Sequence, residues 1–210
     1  MNISSALLPD LIDAVADTIA SHAEEVTALD QAIGDGDHLI NLQRGLNALM
    51  AQSDELAELA WPVAWQKIGM TMMSTIGGAS GSLFGTLFVA MSKAARELPL
   101  NQTGFAEIFM EAVNAVKQRG KSDIGEKTLL DVLCPVADYL QTAAAENVDL
   151  TTLLTELDKV AIAGMEATRN MLATKGRAAF LDERSRGHID AGAKTTQLII
   201  AAVVEVLLAS

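Results

Sequence analysis

The chain has 210 residues, half of them hydrophobic, enough for one domain with a sizeable core. Aromatic residues make up 4% and the formal net charge is −12. This balance favours helices packed on helices over an aromatic-rich sheet. It argues against nucleic acid or an anionic membrane as partner, since both need clustered Lys and Arg.

The first predicted helix covers 4–25, where Leu7, Leu8, Leu11, Ile12, Val15 and Ile19 follow helical spacing. Asp10 and Asp13 among these residues, with no basic stretch before them, do not read as a signal peptide. The segment that follows, LDQAIGDGDH from Leu29 to His38, carries Asp30, Asp35 and Asp37 in a glycine-broken stretch. Three carboxylates so close together suit a hard cation, and oxygen-only ligands select magnesium, calcium or manganese over zinc. Magnesium in turn points to phosphate, because it keeps few protein ligands and shares its shell with water and phosphate oxygens. The alternative is ordinary turn chemistry, with Asp37 capping the helix that starts at His38. A calcium loop opening at Asp35 is excluded, since Leu39 and Leu46 stand where it needs ligands.

Helices are then predicted over 38–52, 61–74, 80–97, 103–119, 128–146, 150–174 and 191–209, with no stretch of period two. The chain reads as all-α. Between the third and fourth helices, TIGGASGSLFG from Thr75 to Gly85 could let backbone amides approach phosphate, with Ser80 and Ser82 offering hydroxyls. The competing reading is close helix packing, because Gly77, Gly81 and Gly85 are spaced four apart. Neither a P-loop nor a dinucleotide fingerprint is matched, and Gly120-Lys121-Ser122 fails as a P-loop because Ala115 replaces its first glycine. Cys134 is the one cysteine and sits in an apolar setting, as a buried thiol in a reducing cytoplasm would. The segment 175–192 concentrates Lys and Arg in an acidic chain, and Arg177 is its best phosphate ligand, by paired guanidinium hydrogen bonds. A solvated loop with ordinary ion pairs is the alternative. The last helix is apolar but interrupted by Glu205, and is expected to be a fully buried core helix.

With these segments in view, the chain resembles the DhaL (Dak2-type) nucleotide-binding subunits of dihydroxyacetone kinases over essentially its whole length. The resemblance is carried by LDQAIGDGDHLINLQRG from Leu29, MSTIGGASGSLFGT from Met73, RGKSDIGEKTLLDVL from Arg119 and KGRAAFLDERSRGHIDAGA from Lys175. It implies a single domain over 1–210, an antiparallel barrel of about eight helices with a nucleotide and metal site at one end. It assigns Asp30, Asp35 and Asp37 to two Mg2+ ions bridging the phosphates of bound ADP or ATP. His38 and Asn41 would contact the nucleotide from the next helix, and Ala79 and Ser80 from the glycine turn. Gly120 and Leu129 would line the adenosine side, Asp190, Ala191 and Gly192 the closing loop. Arg177 and His38 are the expected catalytic groups. Family members often have Asp-Pro-Gly where this chain has Asp190-Ala191-Gly192, and Met where it has Leu129, changes that soften the loop and keep an apolar contact.

The resemblance implies a phosphoryl relay. A phosphohistidine donor protein (DhaM-like) would phosphorylate bound ADP, and the γ-phosphoryl would pass to dihydroxyacetone on a substrate-binding kinase subunit (DhaK-like). A cytoplasmic location and a homodimer are compatible with this role, and a standalone length favours it over fused ATP-using relatives. The alternatives are an ATP-dependent kinase subunit for dihydroxyacetone or another small ketose or polyol, and a metal-binding helical regulatory or scaffold module.

Overall fold

The structure, a computed structural model, describes residues 4–210, and the described residues are helical with no strand. A 3-10 turn at Ser5–Leu7 leads into α1 (Leu8–Ser21), which opens on Pro9, where a missing N–H is tolerated. The single helix expected over 4–25 is broken at His22 (φ −104°, ψ 16°), whose Nδ1 lies 2.9 Å from the Thr18 carbonyl oxygen. A second helix, α2 (Ala23–Ile33), then runs on to the glycines. Asp30 therefore sits on the last turn of a helix, not in the loop where the sequence pattern put it.

The remaining helices are α3 (His38–Met50), α4 (Ser53–Ala57), α5 (Trp61–Thr75), α6 (Gly78–Ala94), α7 (Gln102–Gly120), α8 (Leu130–Ala145), α9 (Leu150–Ala167) and α10 (Ala191–Ala209). Asn101 and Asp149 cap α7 and α9 with their side chains, accepting from the Gly104 and Thr152 N–H groups. Packing closes α1, α3, α5, α6, α7, α8, α9 and α10 into a ring in that order, with α10 returning against α1. Short connections make most neighbours antiparallel, and the Asp190 N–H bond to Thr168 Oγ1 brings the end of α9 to the start of α10, so the ring is the up-and-down barrel of eight helices that the resemblance implied. Two apolar clusters fill it; fully buried Ile19, Val26, Leu42, Leu56 and Ile108 contribute about 1.5–3 kcal/mol each.

Two glycine contacts set how closely the staves approach. A Cβ on Gly69 would lie 2.8 Å from the Gly85 carbonyl oxygen, and one on Gly85 would lie 2.8 Å from that of Gly69, so α5 and α6 meet backbone to backbone. On the far side Pro135 lies inside α8 and gives the Asp131 carbonyl no helical donor. Gly164 of α9 approaches that same carbonyl, at which an added Cβ would stand 2.3 Å away.

α10 passes, by length and composition alone, for a membrane span, yet it is flanked by α1 and α9. The expectation of full burial is corrected: half of its apolar window is buried, mostly toward the N-terminal end, and Leu208 is exposed. The expected helix 150–174 stops at Ala167, continuing only as a 3-10 turn at Thr168–Asn170. The stretch expected to be irregular contains 3-10 turns over Ala178–Ser185, kinked at Asp182 (φ 48°).

Candidate functional site

Alternation around the ring brings the N-termini of α3, α6, α8 and α10 to one end. Contacts between them fix this geometry: His38 at the start of α3 has Nδ1 3.0 Å from Ser80 Oγ on α6 and Nε2 3.0 Å from Thr195 Oγ1 on α10. His38 is buried, and that burial pushes its imidazole below the usual value against the opposing pull of Asp30, Asp37 and Asp35. Both ring nitrogens are thus occupied by hydroxyls of neighbouring staves.

Asp30, Asp35 and Asp37 converge. One oxygen from each lies within 4.8 Å of the others, Asp30 buried and the other two exposed. Asp30 Oδ2 accepts the His38 backbone N–H at 3.0 Å, while Asp37, although it holds the N-cap position of α3, makes no capping hydrogen bond. The capping alternative weighed for Asp37 is therefore not what its side chain does; Asp30 takes that duty from the preceding helix. Gly36 supplies the left-handed turn (φ +79°) that returns Asp37 toward Asp30. The donor set is all oxygen and anionic, which favours a hard divalent cation such as magnesium over zinc.

Arg177 reaches this cluster: its Nε lies 2.9 Å from Asp35 Oδ2, both side chains being largely exposed. On α6, Ala79 is exposed and Ser80 half-buried in the first turn, and no side chain caps that helix. The glycine run divides between the two readings. Gly78 (φ +67°) has open space where a Cβ would go and Gly77 lies against Asn41 Oδ1, whereas Gly81 packs on the Ile76 carbonyl and Gly85 on α5. Asn41 is buried one turn into α3, where its Oδ1 accepts from Arg44 Nη1 at 3.3 Å.

Gly120 ends α7 against Leu83, and Leu129 is buried at the start of α8. Gly192 backs onto Leu129, with an added Cβ 3.8 Å from Leu129 Cβ. Asp190 caps α10 by accepting the Ala193 N–H at 2.8 Å, and Ala191 is buried. Desolvation raises the Asp190 carboxyl to about 6. Gly120 and Leu129 belong to the same end of the barrel as the carboxylate cluster by topology.

Sequence reasoning passed over two buried polar residues here. Thr195, the second partner of His38, was signalled by the run Lys194-Thr195-Thr196-Gln197 in an otherwise apolar helix. Lys127 carried no such signal: it is 1% exposed, and its Nζ donates to the Thr168 carbonyl at 2.6 Å and to that of His188.

Residues 32–205 match the DAK2 domain family. The chain is 39% identical over 187 residues to the ADP-binding subunit DhaL of PEP-dependent dihydroxyacetone kinase 1 from Listeria innocua, covering 89% of each protein. It is 32% identical to the corresponding DhaL subunit of Escherichia coli, covering 95% of this chain and 96% of that one. The crystal structure of the dihydroxyacetone kinase from C. freundii in complex with AMP-PNP and Mg2+ superposes with a TM-score of 0.75 at 22% identity. That match covers 98% of this chain but 34% of the longer kinase, and it shows a shared fold. A match across most of the chain, with relatives above 30% identity covering about nine-tenths or more of it, establishes that this protein belongs to the DAK2 domain family.

Proposed function

We propose that this chain is the nucleotide-binding relay subunit of a cytoplasmic dihydroxyacetone kinase. It passes a phosphoryl group from a phosphohistidine donor protein, through bound ADP/ATP, to dihydroxyacetone held on a separate substrate-binding subunit. Residues 1–210 act as a single DhaL-like domain in this reading. The observation that carries it is the convergence of Asp30, Asp35 and Asp37 at the end where four helix N-termini meet, together with the names of the full-length relatives. When bound, the nucleotide supplies the transferable phosphoryl group, and two Mg2+ ions screen its charge.

The chain's own groups contribute positioning and electrostatics. Asp30, Asp35 and Asp37 would hold the metal ions, and the uncapped first turn of α6 would offer its amides, at Ala79 and Ser80, to phosphate oxygens. Arg177, paired with Asp35 at the edge of the cluster, would present its guanidinium to a phosphoryl group held there. His38, with both nitrogens engaged, serves to lock α3, α6 and α10 at the site, and Asn41 stands beside the glycine turn. Leu129 and Gly120 offer an apolar edge for adenosine, and Asp190, Ala191 and Gly192 close over it.

Acid extraction of the purified protein should release ADP. MgADP should raise the Tm of nucleotide-free protein with concentration, and Asp37→Asn should lose that gain while keeping its helical circular dichroism. Protein that neither retains ADP nor is stabilised by it with magnesium refutes the reading. If labelled external ATP exchanges within one turnover and supports full activity without a phosphohistidine protein, the relay gives way to an ATP-dependent kinase.

A further inference from the structure

Arg177 and the N-terminus of α10 ride on one segment, 168–190, that contains no α-helix and crosses the end of the barrel. Its anchorage is concentrated on the loop 121–129. Lys127 takes a left-handed backbone (φ 62°) that a lysine rarely adopts, which sends its side chain inward. There the ammonium donates to the Thr168 and His188 carbonyls, at the two ends of the segment. Thr168 Oγ1 in turn accepts the Asp190 N–H at 3.1 Å, and the Gly187 N–H donates to the Arg169 carbonyl at 2.8 Å. Glu126 holds the middle, accepting from Thr174 Oγ1 at 2.8 Å. The neighbouring carboxylates, Asp131 and Asp190, accept from backbone amides of the 121–129 loop and of α10. An ammonium is costly to bury unless its hydrogens are used. Here two of the three are used on the backbone of the segment that carries Arg177.

We propose that Lys127 is a positioning residue for nucleotide retention: it clamps both ends of segment 168–190 to the start of α8 and so keeps Arg177 and the 190–192 turn closed over the site. The inference rests on the nucleotide reading above. It differs from a stability role in predicting a change in ligand residence time.

The test uses the full chain loaded with a fluorescent ADP analogue and magnesium, then chased with unlabelled ADP. Lys127→Met, which keeps the stem and loses the charge-assisted hydrogen bonds, should release the analogue about 10- to 100-fold faster at unchanged helical content. Amide hydrogen exchange across 168–190 should quicken in the nucleotide-free variant. Faster exchange with unchanged release describes a purely structural tether and overturns the proposal, as does no change in either. If Lys127→Met does not fold, Lys127→Arg carries the same test, because a planar guanidinium cannot place one nitrogen between those two carbonyls; faster release upholds the proposal and unchanged release overturns it. Wild-type protein with no affinity for ADP fails the nucleotide reading itself. Wild type that holds ADP beside a variant that releases it no faster fails the Lys127 assignment alone.

Discussion

Gly34→Ala tests the carboxylate cluster without touching a carboxylate. Gly34 has an ordinary backbone (φ −116°), so the conformation tolerates alanine and only space is at issue. An added Cβ would lie 1.9 Å from Asp30 Oδ1 and 2.8 Å from the Asp30 carbonyl oxygen, so the Asp30 side chain has to swing away and the backbone has to give by a few tenths of an ångström. Doing so forfeits the hydrogen bond from the His38 N–H to Asp30 Oδ2, worth about 1.5–3 kcal/mol for an ionised acceptor, and takes one oxygen out of the cluster. Disturbed ligand orientation typically weakens metal binding by about 10–100-fold, and that is the expected loss of magnesium affinity, read as the magnesium dependence of ADP binding by calorimetry. Gly36→Ala is the control. Its left-handed φ of +79° makes alanine strained by about 1–2 kcal/mol, but the nearest atom to the new Cβ is Gln31 Cγ at 3.7 Å, so Tm falls while the carboxylates keep their places. A Gly34→Ala protein with wild-type magnesium affinity, or a Gly36→Ala protein that loses it equally, refutes the argument that Asp30 must occupy that space.

Arg177→Gln removes an exposed ion pair with Asp35, so the expected change in unfolding free energy is about 0–1 kcal/mol by urea titration. Phosphoryl transfer in the reconstituted kinase should nevertheless fall steeply, and a fully active variant counts against a phosphate-side role. Burial raises the Asp190 carboxyl from 3.8 to about 6, so the fold favours its protonated form. Its contribution to stability is therefore fully present below pH 4 and lost as pH rises to about 6. Burial also raises Asp131 but lowers His38, which acts in the opposite sense, so the test is a difference. Asp190→Asn keeps a capping oxygen and should gain stability relative to wild type between pH 4 and 6; a difference independent of pH refutes the assignment.

Helix starts were readable wherever a local device marks them: Pro62 opening α5, Asn101 before α7, Asp149 before α9 and Asp190 before α10. The break at His22 was not, because helical spacing of apolar residues survives a single misdirected residue, and α2 continued unseen into the acidic segment. α4 is too short, at five residues, for periodicity to register. For the site, the carboxylates could be proposed from spacing alone, but which of them caps α3 depends on a hydrogen bond to the His38 N–H that spacing cannot express. Lys127 stayed hidden for a related reason. Between Glu126 and Thr128 it reads as a surface residue, and only its left-handed backbone turns it inward.

The alternation of helix direction around the ring also governs how the protein is seen from a distance. Each amide-rich stave end at the site lies between two carbonyl-rich ends, those of α1–α2, α5, α7 and α9. Opposed macrodipoles side by side cancel beyond about one turn, and a net charge of −12 opposes the long-range approach of a polyanion. In the proposed reading, capture would be a short-range event, dependent on cations seated on the carboxylates and on donors met at contact. A barrel of this kind would hold an anion that it does not summon.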